Sequence, residues 1–198
     1  MNTVKRLITV LVAVAWACHA AAQPETEAGG PSQAGFVIIC PINEMIDEGL
    51  AIVVERAVEQ SRGAEALVFE VDTFGGRVDS AFQITDSILG ADCRTIAHVI
   101  GDGAISAGSI ISYACDEIVM QPGTTIGAST PILMGQEQTE AVEEKSMSFL
   151  RAKFRALGEE KGHNPLIGEA MVDPSIELYI DEEPGGGFLV YKVKGGKV

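Results

Sequence analysis

The 198-residue chain has little that is basic and almost nothing that binds metal. Fourteen Lys and Arg face 28 Asp and Glu, for a net charge of −14 at neutral pH. No basic cluster offsets this balance, so the surface repels nucleic acid and anionic headgroups, and nucleic-acid binding is excluded. There are three histidines and no Cys-x-x-Cys pair, which removes the usual zinc frameworks. Gly101-Asp102-Gly103 imitates a dinucleotide turn, but Ser106 stands where the third glycine belongs. No Gly-Lys-Ser/Thr phosphate loop is present either. No cofactor and no metal is therefore expected.

Long apolar runs are also few. Lys5 and Arg6 precede an apolar run from Leu7 to Ala17, then come Ala20, Ala21 and Ala22. The run is short for a bilayer span and reads as a secretory signal peptide over residues 1–22, the alternative being an uncleaved anchor. Its removal takes away two basic residues and moves the net charge from −14 to −16. Residues 23–34, rich in Pro, Glu, Gly and Ser, read as a flexible spacer. Export would leave Cys40, Cys93 and Cys115 in an oxidising compartment. That odd number permits one disulfide, with Cys93 and Cys115 able to meet, or buried free thiols.

From residue 35 the pattern alternates. Phe36–Cys40, Ala66–Val71 and Thr95–Ile100 are apolar, β-branched runs typical of strands covered on both faces. Ile118–Met120 is a shorter one. Between them lie helical stretches: one from an Asn43 cap to about Ser61, with Ile46, Leu50, Val53, Val54 and Ala57 inward. Another spans Val78–Leu89 with Ala81, Ile84, Thr85 and Ile88 inward, and a wholly apolar one runs from Ser106 to Ala114. A Gly/Thr-rich turn at 122–131 leads to a charged helix over Val142–Lys161 and a short one after Pro165. Leu178–Ile180 and Phe188–Val193 read as hairpin strands. Short connections between alternating elements predict an α/β fold with a parallel sheet. The expected organisation is one domain over residues 35–172 and the start of a β-rich segment at 173–198. A strand signal so near the last residue predicts a fragment of a longer protein.

Two small-residue turns carry the chemistry. Gly101 to Ser109 places Ser106 at a strand-to-helix junction, where a hydroxyl stands clear and the first helical amides lack partners. A serine there is ordinarily a helix cap. Here Ala107 and Gly108 leave open space above it, and Gly75-Gly76 closes the preceding strand. These glycines are by default a tight turn. Functionally, Gly76 and Ala107 amides would hold an oxyanion, with glycine admitting close substrate backbone. The reaction indicated is acyl transfer with Ser106 as nucleophile.

The base is harder to place. His19 falls in the leader, His98 inside a strand, and His163 in a helix-terminating loop that reads as surface. A Ser-His-Asp triad thus lacks its middle member. Lys145 is the alternative, serving as base if desolvation lowers its pKa from about 10.4 toward 7 or 8. Glu143 and Glu144 beside it oppose that shift, although consecutive helical residues point in different directions. A solvated surface lysine is the bland reading.

Three ordered stretches then carry a resemblance: Val71–Ala81 around Asp72-Thr73-Phe74-Gly75-Gly76, Ile105–Ser109, and Met120–Pro131. The region from Phe36 to Val172 resembles the NfeD-type membrane-associated serine proteases of the ClpP class, with signal peptide peptidase A and the crotonases as more distant relatives. The resemblance implies a ClpP/crotonase-like spiral of ββα units, an oligomer, and a Ser-Lys dyad of Ser106 and Lys145 with Gly75 and Gly76 as the oxyanion turn. Phe74 stands where the family commonly has Pro. Longer members continue into transmembrane helices and a small β-barrel. The implied function is an exported, membrane-associated endopeptidase taking peptide or protein substrates, with apolar segments of membrane proteins among them. A non-catalytic assembly or binding module is the alternative. A crotonase-like acyl-CoA enzyme fits the fold but not export.

Overall fold

A computed structural model describes residues 35–132 and 140–192. The leader and spacer expected over residues 1–34 lie outside the described residues. Strands β1 (Val37–Ile46), β2 (Ala66–Gly76), β3 (Arg94–Ile105) and β4 (Glu117–Met120) form a parallel sheet in that order. β5 (Thr125–Gly127) also pairs with β3, along residues 103–105, beyond the stretch occupied by β4. Helices α1 (Glu48–Gln60), α2 (Val78–Leu89) and α3 (Ala107–Tyr113) follow the first three strands. α4 (Glu140–Lys161) and α5 (Pro165–Val172) come next, then an antiparallel hairpin of β6 (Leu178–Glu182) and β7 (Phe188–Lys192). Among the described residues no helix is long and apolar enough to cross a membrane.

The expected alternation is present, with four local differences. β1 does not stop at Cys40 but runs to Ile46, and α1 is capped by Asp47, whose carboxylate accepts the Leu50 amide at 2.9 Å. Ile42 and Ile46 are both buried as alternate strand positions, a spacing that also fits one helical face. Val53, expected inward, is exposed, and Ala51 and Val54 carry the buried face of α1. β5 was hidden in the Gly/Thr-rich turn because three residues give no periodicity. His163 is not a surface group. Its Nε2–H donates to the Cys115 carbonyl at 2.8 Å, and its ring lies 5.2 Å from that of Tyr113.

The α2 expectation holds: Ala81, Ile84, Thr85 and Ile88 are all buried. The core runs through Leu67, Phe69 and Val71 of β2, Ala97 and Val99 of β3, Ile84 and Ile88 of α2, and Phe154 of α4. All seven residues of α3 are buried, the helix packing against β2, β3 and α2 with Ser109 and Ser112 hydrogen-bonded within. Among the described residues, Cys40, Cys93 and Cys115 are free thiols.

Candidate active site

β3 ends at Ile105, and the next residue turns the chain sharply into α3. Ser106 has φ 54 and ψ −116, a left-handed conformation that costs a non-glycine residue about 1–3 kcal/mol and persists only where neighbours enforce it. The neighbours are visible. The Ser106 amide donates to the Gly127 carbonyl of β5 at 2.7 Å. Its carbonyl accepts from the Ser109 amide at 3.1 Å and from the Ser109 and Ser129 hydroxyls at 2.7 and 3.3 Å. Both ends of the residue are held from outside it, and its side chain is spared the task. Ser106 makes no capping hydrogen bond with its hydroxyl. The helix-cap reading of this serine is thereby removed.

Gly75 lies directly against the nucleophile candidate. A Cβ on Gly75 would sit 2.7 Å from Ser106 Cβ and 3.1 Å from the Ala107 amide nitrogen, and its φ of +105 favours glycine independently. Its own amide donates to Thr73 Oγ1 at 3.0 Å. Gly76 is confined on the other side, since a Cβ there would meet the Ile46 carbonyl oxygen at 2.2 Å. The Arg77 amide donates to that same carbonyl. Successive amides of an extended chain point to opposite sides, which turns the Gly76 N–H away from β1. Ala107, as the first residue of α3, has an amide outside the helical ladder.

Ser106, Gly76 and Ala107 line one cleft of about 510 Å³. Its walls are mostly apolar: Phe74 from the turn, Val78 and Phe82 from α2, Ile110 from α3, and Leu150 and Phe154 from α4. Phe74 and Ile132 at its edge are 76% and 83% exposed, an unusual placement for side chains of that size.

Lys145 is not among the described residues that line this cleft. It is exposed on the second turn of α4, about 7.5 Å along the axis from Leu150 at 1.5 Å per residue. Of the glutamates beside it, Glu144 is taken by Arg151, whose Nη2 lies 2.7 Å from Glu144 Oε1. Arg151 also pairs with Asp173 at the end of α5. Sequence reading missed Thr73, Ser109, Ser129 and Arg151. Thr73, Ser109 and Ser129 carried a hint by lying in the three stretches that carry the resemblance; Arg151 carried none. Among the described residues no group of three or more His, Cys, Asp or Glu is placed to hold a metal.

Residues 36–197 match the model of the NfeD1b N-terminal domain family. The chain is 28% identical over 155 residues to the membrane protein NfeD1b of Bacillus subtilis, covering 77% of this chain and 35% of that protein. It is 34% identical over 130 residues to the membrane-bound protease PH1510 of Pyrococcus horikoshii, covering 63% of this chain and 29% of the relative. The chain thus spans about a third of the length of these relatives. Among solved structures it is similar to a serine-to-alanine variant of the 1510-N membrane-bound stomatin-specific protease, with TM-score 0.64 and 29% identity. That match covers 71% of this chain and 70% of the other. A lysine-to-alanine variant of the same protease, in complex with a substrate peptide, matches with the same TM-score and identity and covers 71% and 67%. The α/β architecture with its parallel sheet is the one seen in those proteases. The chain belongs to the family of NfeD1b N-terminal domains.

Proposed function

We propose that this domain is a serine endopeptidase working through a Ser106–Lys145 dyad on apolar peptide segments. The observation that carries the reading is the Ser106 hydroxyl, left out of helix capping in an enforced left-handed conformation at the mouth of an apolar cleft. Solved relatives in which a serine or a lysine was replaced by alanine, one holding a substrate peptide, support the choice of those two residue types.

In this reading Ser106 Oγ attacks the scissile carbonyl carbon while its proton passes to Lys145 Nζ. The carbonyl oxygen becomes an oxyanion and takes hydrogen bonds from the Gly76 and Ala107 amides. Gly75 contributes by having no side chain beside Ser106, its own amide being engaged by Thr73. Collapse of the tetrahedral adduct expels the amine, which takes the proton from Lys145. Water then attacks the Ser106 ester and releases the second product. An apolar peptide lying across the cleft would shield the exposed Lys145 from water. The substrate would be a membrane-associated protein of the stomatin kind, matched to the apolar walls. The expected leader would place the domain outside the cytoplasm at a membrane surface, as part of a homo-oligomer.

The exposure of Lys145 outside the cleft favours a second reading, an assembly or binding module that keeps the fold without the chemistry. An internally quenched peptide with a Leu/Val run separates the two. Hydrolysis by the wild type that falls to background in both Ser106→Ala and Lys145→Met supports the peptidase. Equal behaviour of all three supports the module.

A further inference from the structure

We propose that Thr73 is the positioning residue of the oxyanion turn, an inference that rests on Ser106 being the nucleophile. Thr73 is buried, 3% exposed, and none of its atoms lines the cleft. Its side chain nevertheless touches three segments that meet there. The hydroxyl donates its proton to the Glu44 carbonyl of β1. The same oxygen accepts the Gly75 amide at 3.0 Å. The methyl group lies under the nucleophile helix, because a Cβ on Gly108 would be 2.6 Å from Thr73 Cγ2.

Both neighbouring strands are irregular at this level. The β1–β2 register slips between Asn43 and Met45, where Glu44 takes φ 62, and the β2–β3 register slips between Val71 and Thr73. A regular ladder would satisfy the Gly75 amide and the Glu44 carbonyl against strand partners. Here one hydroxyl satisfies both, as donor to one and acceptor from the other. Gly75 is thereby held at φ +105, which fixes where the chain enters Gly76, a residue that lines the cleft with Ser106. Serine provides the same hydroxyl without the methyl. Valine provides the same shape without the hydroxyl, and leaves the buried Gly75 amide and the partly buried Glu44 carbonyl without this partner.

The test uses the full chain as wild type, Thr73→Val, Thr73→Ser and Ser106→Ala. The readouts are kcat and KM on the quenched Leu/Val peptide, the rate of labelling by a fluorophosphonate, and the melting temperature. All rates are taken where each variant is folded. Thr73→Val is expected to lower kcat and the labelling rate by roughly 10- to 100-fold, with KM changed by less than about threefold. Thr73→Ser is expected to restore both rates to within about threefold of wild type. A residue that only supports the fold would lower the melting temperature and leave kcat of the folded protein alone. The proposal is overturned by wild-type kcat in folded Thr73→Val, or by Thr73→Ser losing as much as Thr73→Val, which would assign the effect to the methyl. If the valine variant does not fold, the serine variant decides: retained rates uphold the hydroxyl's role, and a loss beyond about tenfold ends it. Ser106→Ala hydrolysing like wild type would sink the endopeptidase reading itself. With Ser106→Ala silent and Thr73→Val unimpaired, only the positioning role fails.

Discussion

Gly75 near the end of β2 and Ser106 just past the end of β3 pack so closely that a side chain on the first would overlap the second. The 2.7 Å between a Gly75 Cβ and Ser106 Cβ is a separation that real side chains do not show. Two turns distant in sequence therefore meet at one junction.

Gly75→Ala should abolish peptide hydrolysis while leaving a folded domain. The new methyl meets Ser106 Cβ and the Ala107 amide, and φ +105 adds about 1–3 kcal/mol of backbone strain. Kinetics and a thermal melt check this, with kcat expected to fall by at least about 100-fold, as for a misplaced nucleophile. Near-normal kcat would place the reacting serine elsewhere.

Ser129→Ala should reduce kcat more gently, by roughly three- to tenfold, since one neutral hydrogen bond contributes about 0.5–1.5 kcal/mol. The Ser109 hydroxyl donates to the Ser106 carbonyl, and the Ser129 hydroxyl shares its one proton between Ser109 Oγ at 2.5 Å and that carbonyl at 3.3 Å. Removing one loosens that carbonyl, while the amide bond to Gly127 holds the other end. Steady-state kinetics with KM recorded separately would show the loss in kcat.

Acid should undo the junction of α4 and α5. The Ser175 hydroxyl and amide, together with the Arg151 guanidinium, hold the Asp173 carboxyl below the usual carboxylate range, against partial desolvation. A folded-state pKa lower than the unfolded one contributes stability above the unfolded value of about 3.9, and this is lost as pH falls through the folded value. Melting temperatures from pH 7 down to pH 2 should drop for the wild type below about pH 4. Asp173→Asn should start lower at neutral pH and lose less over the acid range. Parallel curves would show that Asp173 carries none of it.

Thiol labelling should follow burial. Burial, with the nearby Asp116 charge adding to it, pushes the Cys115 thiol far up, and burial raises that of Cys40 too. Cys93 is only half-buried. A maleimide at neutral pH, read by peptide mass mapping, should modify Cys93 first and Cys115 last. Equal rates at all three would mean that the α3 end of the core opens readily.

Much of this was legible in the residues. Ile84 and Ile88 repeat at helical spacing, and the apolar runs at 66–71 and 95–100 do mark strands. Coverage on both faces was not borne out: Leu67, Phe69, Ala97 and Val99 are buried while Val68, Glu70, Ile96 and His98 between them are half-buried, and Val37 and Ile39 of β1 are exposed. Ser106, Gly75 and Gly76 stood out because small residues at strand ends are sparse and specific, and the structure brings them to one junction. Thr73 and Arg151 were not, for a physical reason. Their roles come from partners 29 and 22 positions away, Glu44 and Asp173, and local pattern contains no information about those contacts. The early Asn43 cap failed similarly: both Asn43 and Asp47 are good caps, and only the pairing of β1 with β2 up to Gly76 decides between them. Lys145 was chosen by chemistry and family likeness, and its exposed place on α4 is the least expected feature of the site.

The central claim is tested most directly by mapping the covalent adduct of a fluorophosphonate on the full chain. The account predicts one adduct, on Ser106, formed by the wild type and absent from Ser106→Ala. An adduct on another residue, or the same mass gain in both proteins, would contradict it.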